Sequence, residues 1–86
     1  RIGLVNQVVA ADQLISRCHE VAGKILQNGP LAVRYAIEVM NDGLEMPLRE
    51  ATSLEATFFG LCCSTQDMSE GTRAFLEKRG PKFQGK

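Results

Sequence analysis

Apolar residues recur at three- and four-residue spacing along most of this chain, and Gly and Pro cut the pattern into pieces the length of single helices. Leu14, Ile15, Cys18, Val21, Ala22, Ile25 and Leu26 make the first stripe, with Asp12 placed to cap it and Asn28-Gly29-Pro30 to end it. Pro30 suits the first position of a second helix, where its missing N–H is not needed and its φ is already helical. That helix is expected to bury Ala32, Val33, Ala36, Ile37 and Met40 and to stop at Asn41-Asp42-Gly43. Pro47 opens a third, with Leu48, Ala51, Leu54, Phe58 and Leu61 on one face and Phe59 and Cys62 beside it. Asp67 followed by Glu70 reads as a capping box that starts a fourth helix, closed by Gly80-Pro81. Gly29, Gly43 and Gly80 fall where left-handed caps are expected.

Residues 2–9, IGLVNQVV, break the helical period: they are apolar and β-branched over a strand's length. A strand needs a ladder partner, and no second strand is legible in 86 residues. The expectation is therefore a mainly α chain, about four helices after one short N-terminal strand, belonging to one end of a longer protein.

Composition narrows the function. Residues 72–86 carry Arg73, Lys78, Arg79, Lys82 and Lys86 against one acid, Glu77, a local net of +4 in a chain of net charge zero. Such a cluster reads either as an anion-binding surface or as a solvated tail, and cations in a helix's last turn also suit its dipole. Nucleic-acid binding is not expected, since the chain is neutral overall and no RNA-recognition motif appears. No apolar run is long enough to span a bilayer and no signal peptide is legible, so a cytoplasmic or mitochondrial-matrix location is expected rather than secretion or a membrane. The odd cysteine count, with Cys62 and Cys63 adjacent, points to reduced thiols that pack, and adjacent Cys18 and His19 project about 100° apart on a helix, too far apart to chelate one metal.

In order, IGLVNQVV, NGPLAVRYA, NDGLEMPLREATSLEATFFGL and the pattern D-x-x-EG-x-x-AFLEKR-x-P-x-F-x-G over residues 67–85 resemble the C-terminal region of the enoyl-CoA hydratase/isomerase (crotonase) family. The resemblance covers effectively the whole chain. It implies a ββα spiral fold in which residues 1–10 are the last strand of a core lying elsewhere, and residues 11–86 a helical domain for trimerisation and CoA contact. It implies an acyl-CoA substrate, a homo-oligomer (trimer or hexamer), and no cofactor beyond the coenzyme A that is part of the substrate. By the same likeness Phe75 and Lys78 help bind coenzyme A, Lys78 at the phosphates and Phe75 as an apolar wall, sharing a face of the fourth helix. Phe59 would line the pocket, with Phe58 or Phe59 alternatively read as core.

No residue here is assigned a catalytic role. Family hydratases use two backbone N–H groups for the thioester oxygen and two glutamates to activate water and deliver a proton. The resemblance puts those motifs upstream, and Glu45, Glu50, Glu55 and Glu70 read as helix-surface or cap residues. The parent is expected to be an enoyl-CoA hydratase and this chain alone to hydrate nothing. Isomerase and hydrolase relatives, and a helical assembly module without catalytic role, are the alternatives.

Overall fold

A computed structural model describes residues 2–86. A 3-10 turn at Ala11–Gln13 leads into four α-helices: α1, Leu14–Leu26; α2, Pro30–Gly43; α3, Leu48–Cys63; and α4, Gln66–Leu76. The expected strand over residues 2–9 is not formed. Bends interrupt it at Gly3, Leu4 and Asn6, and Gly3 takes a positive φ of 79°. With no other strand among the described residues, its backbone has no ladder to join. Arg1, part of the 1–10 segment expected to join a core, lies outside the described residues. Arg17 ties the segment to α1, donating from Nε to Gln7 at 2.7 Å while pairing with Glu20. The Arg17 hydrogen bond, then its charge, holds the Glu20 carboxyl below its ordinary pKa.

The helix ends follow the punctuation but not always the expected chemistry. Asp12 lies inside the 3-10 turn and caps nothing; Ser16 Oγ instead donates to the Gln13 carbonyl at 3.0 Å. Asn28 closes α1 with its side chain, Nδ2 donating to the carbonyls of Lys24 and Ile25 at 3.2 Å each. Pro30 does open α2, after an extended Gly29 at φ −61°. Pro47 sits one position earlier than expected, as the residue preceding α3. None of Gly29, Gly43 and Gly80 is left-handed; among the described residues the positive-φ ones are Gly3, Gly85 and Lys78.

Helices α2 and α3 pair as a hairpin, clasped by the edge-to-face rings of Tyr35 and Phe58 with centroids 5.4 Å apart. On α3 the expected face holds in part: Ala51, Leu54 and Phe58 are half-buried, joined by Cys62, whereas Leu48 is exposed. On α2 the half-buried positions are Leu31, Val33, Tyr35, Val39 and Gly43. Of the predicted core there, Ala32, Ala36 and Met40 line an open groove between the two helices, about 640 Å³ in volume, and Ile37 is exposed. The stripe is real, but these residues do not cover it.

Among the described residues, helix α4 holds the one buried apolar side chain, Ala74, at 1% exposure, and the one buried charged side chain, Asp67, at 6%. Its cap is Thr65, whose Oγ1 accepts from Met68 N at 3.1 Å, so Asp67 and Glu70 are not a capping box. Both acids instead bind the returning tail. Asp67 accepts from the backbone N–H groups of Gln84 (2.7 Å) and Gly85 (2.8 Å), and its own N–H donates to the Lys86 carbonyl at 2.9 Å. Glu70 accepts from Lys82 N at 3.1 Å and from Arg79 Nη1 at 2.6 Å. Between these ties Phe83 lies on α4 at Gly71, where an added Cβ would stand 3.3 Å from the ring. Residues 80–86 thus run back along the helix they follow.

The exposed surface is 7405 Å². A self-sufficient folded chain of 9.4 kDa would expose roughly 5,000 Å². The Cα radius of gyration is 16.3 Å against about 12 Å for a compact domain of this length. With extents of 43 × 39 × 18 Å the molecule is a plate whose apolar faces lack an internal partner.

Two outcomes are expected. In the full-length protein, Asp67→Ala leaves two amides of the tail without their acceptor and should cost about 2–3 kcal/mol, read from urea unfolding, with faster hydrogen exchange at Gln84 and Gly85; Asp67→Asn, which keeps one acceptor oxygen, should cost less. Glu70 is held down to about 2 from an ordinary 4.5, first by the Arg79 hydrogen bond and then by the Lys82 amide. A depressed carboxyl stabilises in full above its free pKa, so the Glu70 tie should persist down to pH 4.5 and be lost as pH falls through about 2. The Lys82 amide shift followed against pH reads that loss; a midpoint at 4.5 would mean that Glu70 does not hold the tail.

Candidate coenzyme A contact site

Two apolar depressions adjoin on one side of the plate. One, about 380 Å³, is walled by α4 and the tail, including Met68, Gly71, Phe75 and Phe83, and reaches Ala32 and Cys62. The other is the α2–α3 groove, which shares Ala32 and Cys62 and includes Phe59. Phe75 and Phe59, singled out together from sequence, therefore line neighbouring cavities rather than one. Both rings are open to solvent, at 83% and 66% exposure, an unusual position for two phenylalanines in so small a chain. Phe58 resolves differently: it is the half-buried ring of the hairpin clasp.

Lys78 is not on α4. The helix stops at Leu76, and the chain leaves it through a Schellman turn in which Lys78 N–H bonds Phe75 O at 3.3 Å and Arg79 N–H bonds Ala74 O at 3.0 Å. Lys78 fills the left-handed position of that turn, at φ 54°, where glycine is usual. The expected shared helix face of Phe75 and Lys78 is thereby corrected: Lys78 projects from the turn that ends the helix. Its ammonium makes no ion pair among the described residues, whereas neighbouring Arg79 is fully engaged. Arg79 Nε donates to Glu77 at 2.5 Å, and Nη1 and Nη2 donate to the two oxygens of Glu70 at 2.6 and 3.3 Å. This carboxylate fork raises the Arg79 pKa further above its ordinary value.

Glu45 is exposed in the turn between α2 and α3, Glu50 is exposed on α3, Glu55 lines the α2–α3 groove that holds Phe59, and Glu70 is committed to Arg79 and the tail. Cys62 packs between the two cavities as expected; Cys63, also expected to pack, is exposed, as is Cys18. Among the described residues no group of three or more His, Cys, Asp or Glu could hold a metal, and no helix is long and apolar enough to cross a membrane. Sequence reasoning missed the tail ties of Asp67 and Glu70. The Phe83 and Gly85 spacing carried the signal, but only for a tail already known to fold back.

Comparison with known proteins supplies the family. The enoyl-CoA hydratase/isomerase family model matches residues 1–86. A crotonyl-CoA hydratase of Syntrophomonas wolfei is 48% identical over 83 residues, 96% of this chain and 32% of its own length. A short-chain-enoyl-CoA hydratase of Clostridium acetobutylicum is 40% identical over 79 residues, 92% of this chain and 30% of its own. Among solved structures, an enoyl-CoA hydratase of Bacillus anthracis superposes with a TM-score of 0.94 at 38% identity, covering 98% of this chain and 33% of that one. An enoyl-CoA hydratase/isomerase of Mycobacterium paratuberculosis gives 0.92 at 43% identity, with the same coverage. The chain spans about a third of the length of the relatives it matches. The helical plate, its folded-back tail and the residues that tie it are a portion of the crotonase fold, and the chain belongs to the enoyl-CoA hydratase/isomerase family.

Proposed function

We propose that the protein carrying this chain hydrates 2-enoyl-CoA thioesters, and that residues 11–86 are its C-terminal helical domain, holding the coenzyme A handle and making oligomer contacts, with residues 1–10 joining the sheet of the core. The observation that carries the reading is the pairing at the end of α4: an unpaired lysine on a left-handed turn three residues from a solvent-exposed phenylalanine, at the wall of an apolar cavity. An ammonium is a compact charge suited to phosphate, and an exposed ring offers an apolar wall beside it. Phe59 is the matching wall of the adjoining groove. Two relatives bear the names crotonyl-CoA hydratase and short-chain-enoyl-CoA hydratase, which favours hydration over isomerisation or thioester hydrolysis.

Hydration adds water across the double bond conjugated to the thioester. A base must take a proton from water as its oxygen attacks the β-carbon, the charge on the thioester oxygen must be met by donors, and an acid must protonate the α-carbon. Neither the base nor the acid is assigned to a carboxylate of this chain in this reading. Its part is binding, so that the energy of gripping the nucleotide end serves to orient the distant acyl group. The chemistry uses coenzyme A as the substrate's carrier and calls for no separate cofactor.

An assembly role is supported by a separate observation: the chain exposes roughly 2,400 Å² more than a compact monomer would. A stable interface removes about 800 Å² from each partner, so the excess accommodates both a core and neighbouring subunits of a homotrimer or hexamer.

In the full-length protein, Lys78→Ala is expected to weaken coenzyme A binding about tenfold and to leave pantetheine, which lacks the nucleotide phosphates, nearly unchanged, as read by calorimetry. Equal loss for both ligands would remove Lys78 from the phosphate role. Lys78→Gly should lose the same affinity while stabilising the fold by about 1 kcal/mol, because glycine takes the left-handed turn without strain. A urea midpoint that does not rise would show the turn to be unstrained.

A further inference from the structure

Two cations sit side by side after α4, and the structure treats them differently. Arg79 spends Nε on Glu77 and both terminal nitrogens on Glu70, while Lys78 has no acidic partner among the described residues. Glu70 also accepts from Lys82 N, three residues beyond Arg79, through the same oxygen that meets Arg79. The chain on the downstream side of Lys78 is therefore stapled to α4 at two points, and the upstream side is fixed by the Schellman bonds to Ala74 and Phe75. A non-glycine residue stays left-handed only when its surroundings over-determine it. Here Glu70, Glu77 and Arg79 are those surroundings.

We propose that Glu70, Arg79 and Glu77 form a positioning clamp that holds Lys78 in its left-handed turn and so directs its ammonium to the phosphates of the coenzyme A handle. The inference rests on the phosphate reading of Lys78 given above and adds three residues that never touch the ligand. The fork geometry explains why position 79 is arginine: a planar guanidinium reaches two carboxylates at once, which a lysine ammonium does not do with fixed direction. Without the clamp the turn relaxes, Lys78 samples other directions, and part of its affinity is lost to ordering it on binding.

The test is a double-mutant cycle in the full-length protein, with coenzyme A and pantetheine as probes and Kd by calorimetry. Glu70→Gln should weaken coenzyme A about threefold to tenfold and leave pantetheine unchanged; in a Lys78→Ala background the same substitution should have no further effect on coenzyme A. If Lys78→Ala discriminates between the probes yet Glu70→Gln weakens both equally, or adds its full effect to Lys78→Ala, the clamp serves folding alone and the proposal is overturned while the phosphate reading stands. If Lys78→Ala fails to discriminate, the phosphate reading falls and the clamp with it. Should Glu70→Gln not fold, Glu77→Gln, at an exposed carboxylate, gives the same cycle with a smaller effect, and additivity there overturns the proposal equally.

Discussion

A buried carboxylate that accepts two backbone amides fixes the arrangement of the C-terminal third of this protein. Asp67 sits in the first turn of α4, where the helix's positive end favours it, and receives Gln84 and Gly85 from a segment that would otherwise run into solvent. Once that segment is anchored, Phe83 lands on Gly71 and beside Gly29, and Gly85, at φ 75°, packs near Pro30. The α1–α2 junction, α4 and the tail are thereby brought together, which shapes the smaller cavity and presents Phe75 on its wall. Take away the acceptor at position 67 and each later contact loses its reason.

The rest of the plate is governed by what it lacks. Among the described residues Ala74 is the one apolar side chain driven fully inside, while Leu14, Ile15, Ile37, Met40 and Leu48 stay open. At about 25 cal/mol per Å² of apolar surface removed from water, so little burial cannot offset the entropy of ordering 86 residues. Local devices such as the Asn28 cap, the Thr65 cap and the Tyr35–Phe58 clasp set the shape of the helices. Stability must come from surface covered elsewhere, which is the physical content of belonging to a fold three times longer.

Local grammar was legible and long-range grammar was not. Pro30, Gly43 and Pro47 mark helix boundaries to within a residue because steric rules at proline and glycine act over one turn. The amphipathic stripes were equally plain, but a stripe does not name its partner, so Ala32, Ala36 and Met40 line a groove where a core was expected. Asp67 and Glu70 fit a capping box by spacing, and only the tail's return, 17 and 18 residues after Asp67, reveals their use. The strand over residues 2–9 failed for the complementary reason: its propensity is intrinsic, its ladder is not. For the site, Phe75, Lys78 and Phe59 were singled out by family likeness, and the lysine's true position in the turn lay beyond sequence reach because glycine was available two residues later, at Gly80.

That choice of lysine over glycine is where structure and function meet. The Schellman turn needs a left-handed residue, and the chain places a β-carbon-bearing cation there in spite of the cost, while Gly80 takes an ordinary conformation. A fold selecting for stability alone would exchange the two. The strain is tolerable because the Arg79 fork and the Schellman bonds grip both sides of the residue, and it is useful because a side chain leaving a left-handed turn departs in a direction no helical position provides. Direction, rather than charge, is then what the clamp supplies: of the five basic side chains in residues 72–86, Arg79 alone is ion-paired among the described residues, and Lys78 is the one whose backbone is held left-handed.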